Sequence, residues 1–562
     1  MDAKERFHQD YLAELAALDE FLTRRGEDRR LPIPVDRQDP DVRRLLESVA
    51  YLSARTRKLS MDRLERAVER WCQGFFDDLV APMPAMGLVQ ARPDGRLVER
   101  THLPRGAELR LVAPDHAAAP FVTTRPLDLL PIVRWQGELK VSPESGIRIL
   151  LHLECATAMS EFGVLSFYLD HLGDYRASLW FQEALRAHLL GITVRYDAEP
   201  GSPPQSPGEA PPADFYFGAP SGEADENDRT PTLGRIRSFF HCPEQDLFLH
   251  VAPPPPPRPV RRATLVLQMD GRWPLQAAID YRQAFQLFVV PVANLYQGPA
   301  QPILCDGTRD EYPLFPPSAS KESVLYSVLG VYQAGERGLE PLPPSLITGG
   351  NATYEVEAVG EDQTRWGHQL HLRIPDAFLK PRRITVQALW YDPWFLSHAH
   401  GTLKVRLQTR SLTGVALVLR GELKPHAASP LWGDALKLLH LLALRMKPRL
   451  EREDLVLLMD LLGASQDTSY RGLLDLIAEV EVREAADPTL GTLASRGQSG
   501  VRLVYKILLR EVETENLGAL RNFFLQLGML LGAWLPDPVR LEVRTPDRQP
   551  LLLPGAGGEP SA

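Results

Sequence analysis

The chain has 562 residues, 44% hydrophobic and 24% charged, an ordinary globular balance that excludes wholesale disorder. At about 150 residues per domain, this length predicts three or four domains. The net charge of −9 comes from 63 basic and 72 acidic residues and lacks the basic excess with which nucleic-acid binders neutralise phosphates.

Taken in chain order, residues 1–85 form a helical region with three expected helices. Phe7, Tyr11, Leu15, Leu18 and Leu22 recur at steps of four and three, one face of a first helix that Gly26 ends. Asp39-Pro40-Asp41 is a helix start, with an Asp cap and Pro in the first helical position. The second helix carries Val42, Leu45, Leu46, Val49 and Leu52 on its apolar face. A third is expected from Ser60, with Leu64, Val68, Trp71, Phe75 and Leu79, stopped by Pro82 and Pro84. The opening MDAKERFHQD is charged and lacks the apolar run of a secretory signal.

Residues 86–199 shift to short Val-, Ile-, Leu- and Thr-rich runs broken by Pro and Gly, a β-rich domain with one helix at 175–190. Residues 200–232 are proline-rich and acidic, the pattern of a flexible linker or insertion; Phe215, Tyr216 and Phe217 interrupt it. Pro253 to Pro257 predict a short polyproline II spacer between domains. Residues 233–425 are again strand-like, with a hairpin expected at Asp306-Gly307. Residues 426–562 turn helical: Leu436, Leu439, Leu442 and Leu444 mark one helix, and Leu455, Leu458 and Leu462 mark another. A strand at 500–512, a helix at 516–534 and a strand at 539–545 suggest a small α+β unit. The fold class expected is therefore α+β and multi-domain. It has helices at the N-terminus, mostly antiparallel β domains in the centre, and a helical and α+β domain at the C-terminus.

Chemistry is sparse. No run of 18 apolar residues appears, so no membrane insertion is expected. Cys72, Cys155, Cys242 and Cys305 lie too far apart for a CxxC pair and read as small core residues of a protein from a reducing cytoplasm. P-loop, HExxH and GxSxG patterns are absent. His398-Ala399-His400 would place two imidazoles on one face of a strand. A metal-dependent hydrolase centred on them is the alternative enzyme reading, although a catalytic zinc needs a third protein ligand. Asp77-Asp78 and the group Asp306, Asp310 and Glu311 are the densest acids outside the linker; neighbouring carboxylates point apart, which favours solvated charge. Arg258, Arg261, Arg262, Arg382 and Arg383 suit either solvent or an acidic partner. No catalytic, cofactor or metal site is assigned, and an interaction protein is expected. Phe7, Tyr11, Leu15 and Leu18 are the candidate contacts for a partner or a sister chain.

Several blocks then resemble a known family. FQLFVVPVANLYQGPAQPILCDGTRDEYPLFP (285–316), followed by VLYSVLGVY, resembles the central block of TssF, a baseplate subunit of the type VI secretion system. Pro291, Asn294, Leu295, Tyr296, Tyr312 and Tyr326 occupy its marked positions. DPDVRRLLESVAYLSAR, FVTTRPLDLLPI, GVLSFYLDHLGDYRASLWFQEAL and LVYKILLREVETENLGALRNFF follow in the family's order. The chain departs from the pattern at Val290, where Thr is usual, and at Tyr296, where Phe is usual. A Cys-Thr-Asn-Arg-like segment is reduced to Thr409 and Arg410. The resemblance implies a non-enzymatic wedge subunit, two TssF-like chains to one TssG, assembling with TssK and TssE around a VgrG spike hub. That baseplate lies in the cytoplasm, docked at an inner-membrane complex. A wedge subunit of another contractile particle is the alternative within this class.

Overall fold

The computed structural model describes residues 3–27, 39–115, 117–143, 146–197, 211–219, 231–317, 323–335, 338–345, 352–359, 367–399, 401–408, 414–431, 434–486, 501–510 and 517–546. The described helices are α1 (Ala3–Glu27), α2 (Pro40–Val80), α3 (Tyr175–His188), α4 (Thr232–His241), α5 (Tyr281–Ala284), α6 (Phe395–His398), α7 (Ala435–Arg445), α8 (Arg452–Leu461) and α9 (Leu517–Trp534). The strands around them are almost all paired antiparallel, so the chain is α+β. It divides into two compact units, one of residues 1–77 with 431–444, the other of 78–430 with 445–562.

The first unit is helical. Asp39 caps α2 as the sequence indicated: its Oδ1 accepts from the Asp41 amide at 2.9 Å. The expected second and third helices are one continuous α2 of 41 residues. Nothing between Leu52 and Ser60 is a Gly or Pro, so no breaker stands there. Only Phe76, at φ −132°, leaves helical geometry. Phe7 meets Tyr51 edge to face at 5.7 Å, and Glu14 accepts from Ser53 at 3.0 Å and pairs with Arg57 at 3.5 Å. Residue numbers rise together on both helices, so α1 and α2 lie side by side and parallel. In α7 the buried side chains are Leu438, Leu441 and Leu444, whereas Leu436 and Leu439 are exposed. The expected helix is there, and of its four marker leucines Leu444 is the buried one.

The second unit is built on two large sheets sharing one core. The six-stranded sheet runs Lys404–Leu407, Glu108–Val112, Ala118–Thr123, Val289–Ala293, Met86–Pro93, Val415–Lys424. The eight-stranded sheet runs Phe285–Leu287, Leu165–Leu169, Phe248–Ala252, Pro212–Phe217, Leu189–Asp197, Val260–Met269, Gly146–Met159, Ile132–Ser142. Both mix strands from 86–199 with strands from 233–425, so these stretches are interleaved rather than separate β domains. The chain passes from the eight-stranded to the six-stranded sheet at Phe288, a non-glycine residue at φ +59°. Its carbonyl accepts from the Ala91 amide at 2.9 Å, and its ring is buried against Trp135 at 6.0 Å. Packing on both sides holds this strained turn. At the far edge of the same sheet, α5 presses on Gly137, where a Cβ would lie 2.1 Å from the Tyr281 carbonyl oxygen.

Two expectations about connectors are overturned here. Within 200–232, Pro212–Phe217 is an internal strand rather than linker, paired with Phe248–Ala252 and Leu189–Asp197. Tyr216 stacks on the buried His250 at 4.5 Å. Its three aromatics supply enough apolar surface to hold the strand despite the prolines. Residues 198–210 and 220–230 lie outside the described residues. The Pro253–Pro257 run joins two strands of this same sheet, so it is not a spacer between domains. Lacking N–H groups, it can bridge strands without leaving ladder donors unpaired.

Residues 296–391 form a five-stranded sheet and a three-stranded sheet with their own core around Trp390, Val386 and Leu370. Asp306-Gly307 joins Ile303–Cys305 in one sheet to Glu311–Leu314 in the other, so it is a crossing and not a hairpin. Gly307 sits at φ +74°, where a Cβ would lie 2.7 Å from the Phe378 amide nitrogen. At the C-terminal end, Val501–Leu509 and Val539–Arg544 pair in parallel across α9, with Ile477–Ala486 antiparallel on the outer side. That is the expected strand–helix–strand plan with one further strand.

Candidate functional site

The histidine pair loses its geometric premise. His398 ends α6, its amide donating to the Trp394 carbonyl at 3.2 Å. It is helical and not on a strand, while His400 lies outside the described residues. Among the described residues no group of three His, Cys, Asp or Glu side chains is placed to hold a metal. The acids resolve into local structure as well. Asp306 accepts from the Thr308 hydroxyl at 2.6 Å and amide at 3.0 Å, and these bonds hold its carboxyl below the usual range. The side chains of Asp77 and Asp78 lie outside the description. Cys155, Cys242 and Cys305 are buried free thiols, and burial pushes Cys155 up to about 12. Among the described residues no helix is long and apolar enough to cross a membrane.

Of the six positions of the central motif, Asn294 holds separate segments together. This side chain is fully buried and uses both ends of its amide. Its Nδ2 donates to the Pro120 carbonyl at 2.8 Å, and its Oδ1 accepts from the Asp392 amide at 2.6 Å. Its own amide donates to the Ala85 carbonyl at 2.8 Å. One residue thus ties three distant segments at the junction of the six-stranded sheet and the 296–391 sheets. Pro291 lies in the strand just before it, its carbonyl accepting from the Thr124 amide at 2.9 Å and hydroxyl at 3.2 Å. Leu295 packs against Met83, Met86 and Cys242. Tyr296 and Tyr312 pack on the neighbouring core; burial and the adjacent Cys305 thiol push Tyr312 up to about 12. Tyr326 stands edge-on to Tyr391 at 6.3 Å. Asn294, rather than the six as a set, forms the joint.

The surface chemistry lies elsewhere. Phe7, Tyr11, Leu15 and Leu18 are all half-buried on α1. The apolar face read on α2 is mixed: Leu45 is 67% accessible and Val49, Leu52, Leu64 and Phe75 are exposed, while Val42, Leu46 and Val68 are half-buried and Leu79 is buried; Leu59, outside that face, is exposed too. Leu45, Val49, Leu52 and Leu59 share one side of the helix at its 3.6-residue period and form an exposed apolar row, a mark of interaction surfaces. The sequence showed the strip but not its direction, because periodicity identifies a face without saying what covers it.

Comparison with known proteins places this arrangement. The family model for the type VI secretion system protein TssF matches residues 11–388. The chain belongs to the TssF family. The type VI secretion system component TssF1 of Pseudomonas aeruginosa is 35% identical over 111 residues, a stretch that is 19% of this chain and only 18% of that relative. Among solved structures, a chain of the TssK-TssF-TssG baseplate subcomplex, seen by cryo-electron microscopy, superposes with TM-score 0.73. It is 17% identical, with 93% of this chain and 99% of that one covered. A chain of a second type VI baseplate complex gives 0.58 at 16% identity, covering 97% of each. At these identities the likeness is one of fold.

Proposed function

We propose that the chain is a non-enzymatic structural subunit of a type VI baseplate wedge, docking a TssG-like partner and a sister chain through the helices of its first unit. The observation that carries this is the exposed apolar row along α2, from Leu45 to Leu59, in a chain whose fold matches subunits of such complexes. Up to the break at Phe76 the helix is about 54 Å long at 1.5 Å per residue, long enough to serve as an arm in a helical bundle. Apolar association through such a strip needs no catalytic group, and burying it supplies about 25 cal/mol for each Å² removed from water. Phe7, Tyr11, Leu15 and Leu18, half-buried on α1, are the further candidate contacts for the partner or the sister chain. In this reading two such chains share one TssG-like subunit, with TssK- and TssE-like proteins and a VgrG spike hub as further partners in the cytoplasm. The work done is mechanical: interfaces hold one arrangement until a trigger lets the wedges rearrange.

The test is co-expression with a TssG-like protein, followed by native mass spectrometry. Two copies of this chain to one TssG-like subunit are expected. The double substitution Leu52→Asp with Leu59→Asp should abolish co-purification while leaving the β sheets folded, because both side chains are already exposed in the free chain. Retention of the complex by that variant would remove α2 as the docking surface. A parent chain that is a stable monomer indifferent to the partner would remove the wedge reading itself.

A further inference from the structure

The turn between the Leu165–Leu169 strand and α3 holds a leucine in a backbone conformation that leucines avoid. The Asp174 amide donates to the His171 carbonyl at 3.2 Å, closing a four-residue turn over 171–174. Its two central residues, Leu172 and Gly173, both lie at positive φ, +60° and +67°. That is the φ pattern of a type I′ turn, whose central positions favour Asn, Asp and Gly. Gly173 fits the rule and Leu172 does not. A leucine there is strained by its own Cβ. Its side chain is 76% exposed, so few contacts within the chain offset the strain.

The base of the turn is tightly held. Asp170 accepts from the Gly173 amide at 3.0 Å and from Arg420 at 2.5 Å, and its own amide donates to the Ala284 carbonyl at 3.0 Å. The His171 amide donates to the Ser178 hydroxyl at 2.8 Å, and the His171 ring is buried against Trp180 and Phe181. Asp174 accepts from the Ala177 amide at 2.8 Å and caps α3. Around a Cβ placed on Gly173 nothing lies within 4 Å, so that side of the turn faces open space among the described residues. Both carboxylates of the turn are engaged, and the side chain it holds outward is apolar.

Strain that the surroundings fix in place is a mark of functional positions. We propose that Leu172 is a preformed anchor that seats in a leucine-sized apolar pocket of a different protein; this rests on the reading of the chain as a subunit of an assembly. A membrane is a poor occupant, because even a single myristoyl chain gives only marginal, reversible binding and one leucine is smaller. A second copy is a poor occupant too. Of two cavities on this chain, one of about 10 Å³ is too small, and one of about 750 Å³ is lined by the charged Arg309, Asp310, Glu355 and Arg373. The tip is far smaller than the roughly 800 Å² per partner that a stable interface buries. It therefore fixes the position of a subunit whose main contact lies elsewhere, and its rigidity keeps the ordering cost of docking low.

The experiment uses the full chain, free and in the complex formed on co-expression with the other baseplate subunits. Leu172→Cys is made in a Cys72→Ser background, where Cys155, Cys242 and Cys305 are buried, and labelled with fluorescein maleimide. Labelling in the complex is expected to be slower than in the free chain by about tenfold or more. Leu172→Asn suits the turn, so hydrogen exchange at the Asp174 amide should be no faster than in the parent. The same variant should make the complex dissociate about tenfold faster or more on dilution, as loss of an anchor does, and Leu172→Met should not. Equal labelling in both states, or parent-like dissociation of the Leu172→Asn complex, overturns the anchor and leaves docking through α2 standing. Faster exchange at Asp174 in Leu172→Asn also overturns it, because the leucine then serves the chain's own fold. So does slower labelling of the free chain with anionic vesicles or at raised concentration, which would assign the tip to a membrane or a second copy. If the parent forms no complex, the anchor and the wedge reading fall together.

Discussion

Replacing Asn294 by alanine isolates the joint between the sheets. The substitution removes the donor to the Pro120 carbonyl and the acceptor of the Asp392 amide, both in buried surroundings. Each buried group left without a partner costs about 1–3 kcal/mol, so the pair is worth roughly 2–6 kcal/mol. The chain has two units and several cores, so a single unfolding free energy is a poor readout. Hydrogen exchange at the Asp392 amide is local and direct. At about 1.4 kcal/mol per tenfold, its exchange should accelerate at least roughly 30-fold. Asn294→Asp sharpens the reasoning: it keeps the acceptor for Asp392 but aims a carboxylate oxygen at the Pro120 carbonyl. Burial and that contact raise the acid's folded pKa, so the neutral form is the one the fold tolerates. The destabilisation is then full at pH 7 and shrinks as pH falls toward the ordinary carboxylate range near about 4. Exchange at Asp392 within threefold of the parent in Asn294→Ala, or full protection of Asn294→Asp at pH 7, would refute the assignment of Asn294 as the joint.

Burial holds both His241 and His250 down at about 4, below the unfolded imidazole value of about 6.5. Their contribution is therefore complete above pH 6.5 and is lost as pH falls toward 4. The thermal midpoint should drop over that window, with a shallower slope in His250→Gln; a midpoint flat from pH 7 to 4.5 would contradict this. Gly137→Ala puts a methyl group 2.1 Å from the Tyr281 carbonyl oxygen, which forces α5 off the sheet edge. Overpacking of this kind costs about 1–3 kcal/mol, and differential scanning fluorimetry should show a lowered midpoint; an unchanged one would mean that α5 shifts freely.

Much of the architecture was legible because local rules sufficed. Asp39-Pro40 marked a helix start, Val501–Leu509 and α9 declared themselves by period, and the central block named the family. What escaped was non-local. Met86–Pro93 reads as a strand, but nothing in its eight residues says that its partners are Val289–Ala293 and Val415–Lys424. The proline run and Asp306-Gly307 were judged by what such residues do between neighbours in sequence. Their neighbours in space decided otherwise. Phe215 to Phe217 show that three aromatics can override a proline-rich context. On the surface, the apolar period on α2 was visible, but exposure belongs to the assembled chain.

The interleaving of the large sheets also sets a timetable for synthesis. Met86–Pro93 is buried at nearly every position, yet its first partner strand begins at Val289 and its second ends at Lys424. At about 5–20 residues per second, the ribosome needs roughly 10–40 s to supply the first partner and longer for the second. For that interval an apolar strand leaves the exit tunnel with both edges open. A nascent chain of this kind needs a chaperone on its N-terminal third, and a frameshift or truncation before residue 415 releases a product with an unsealed sheet.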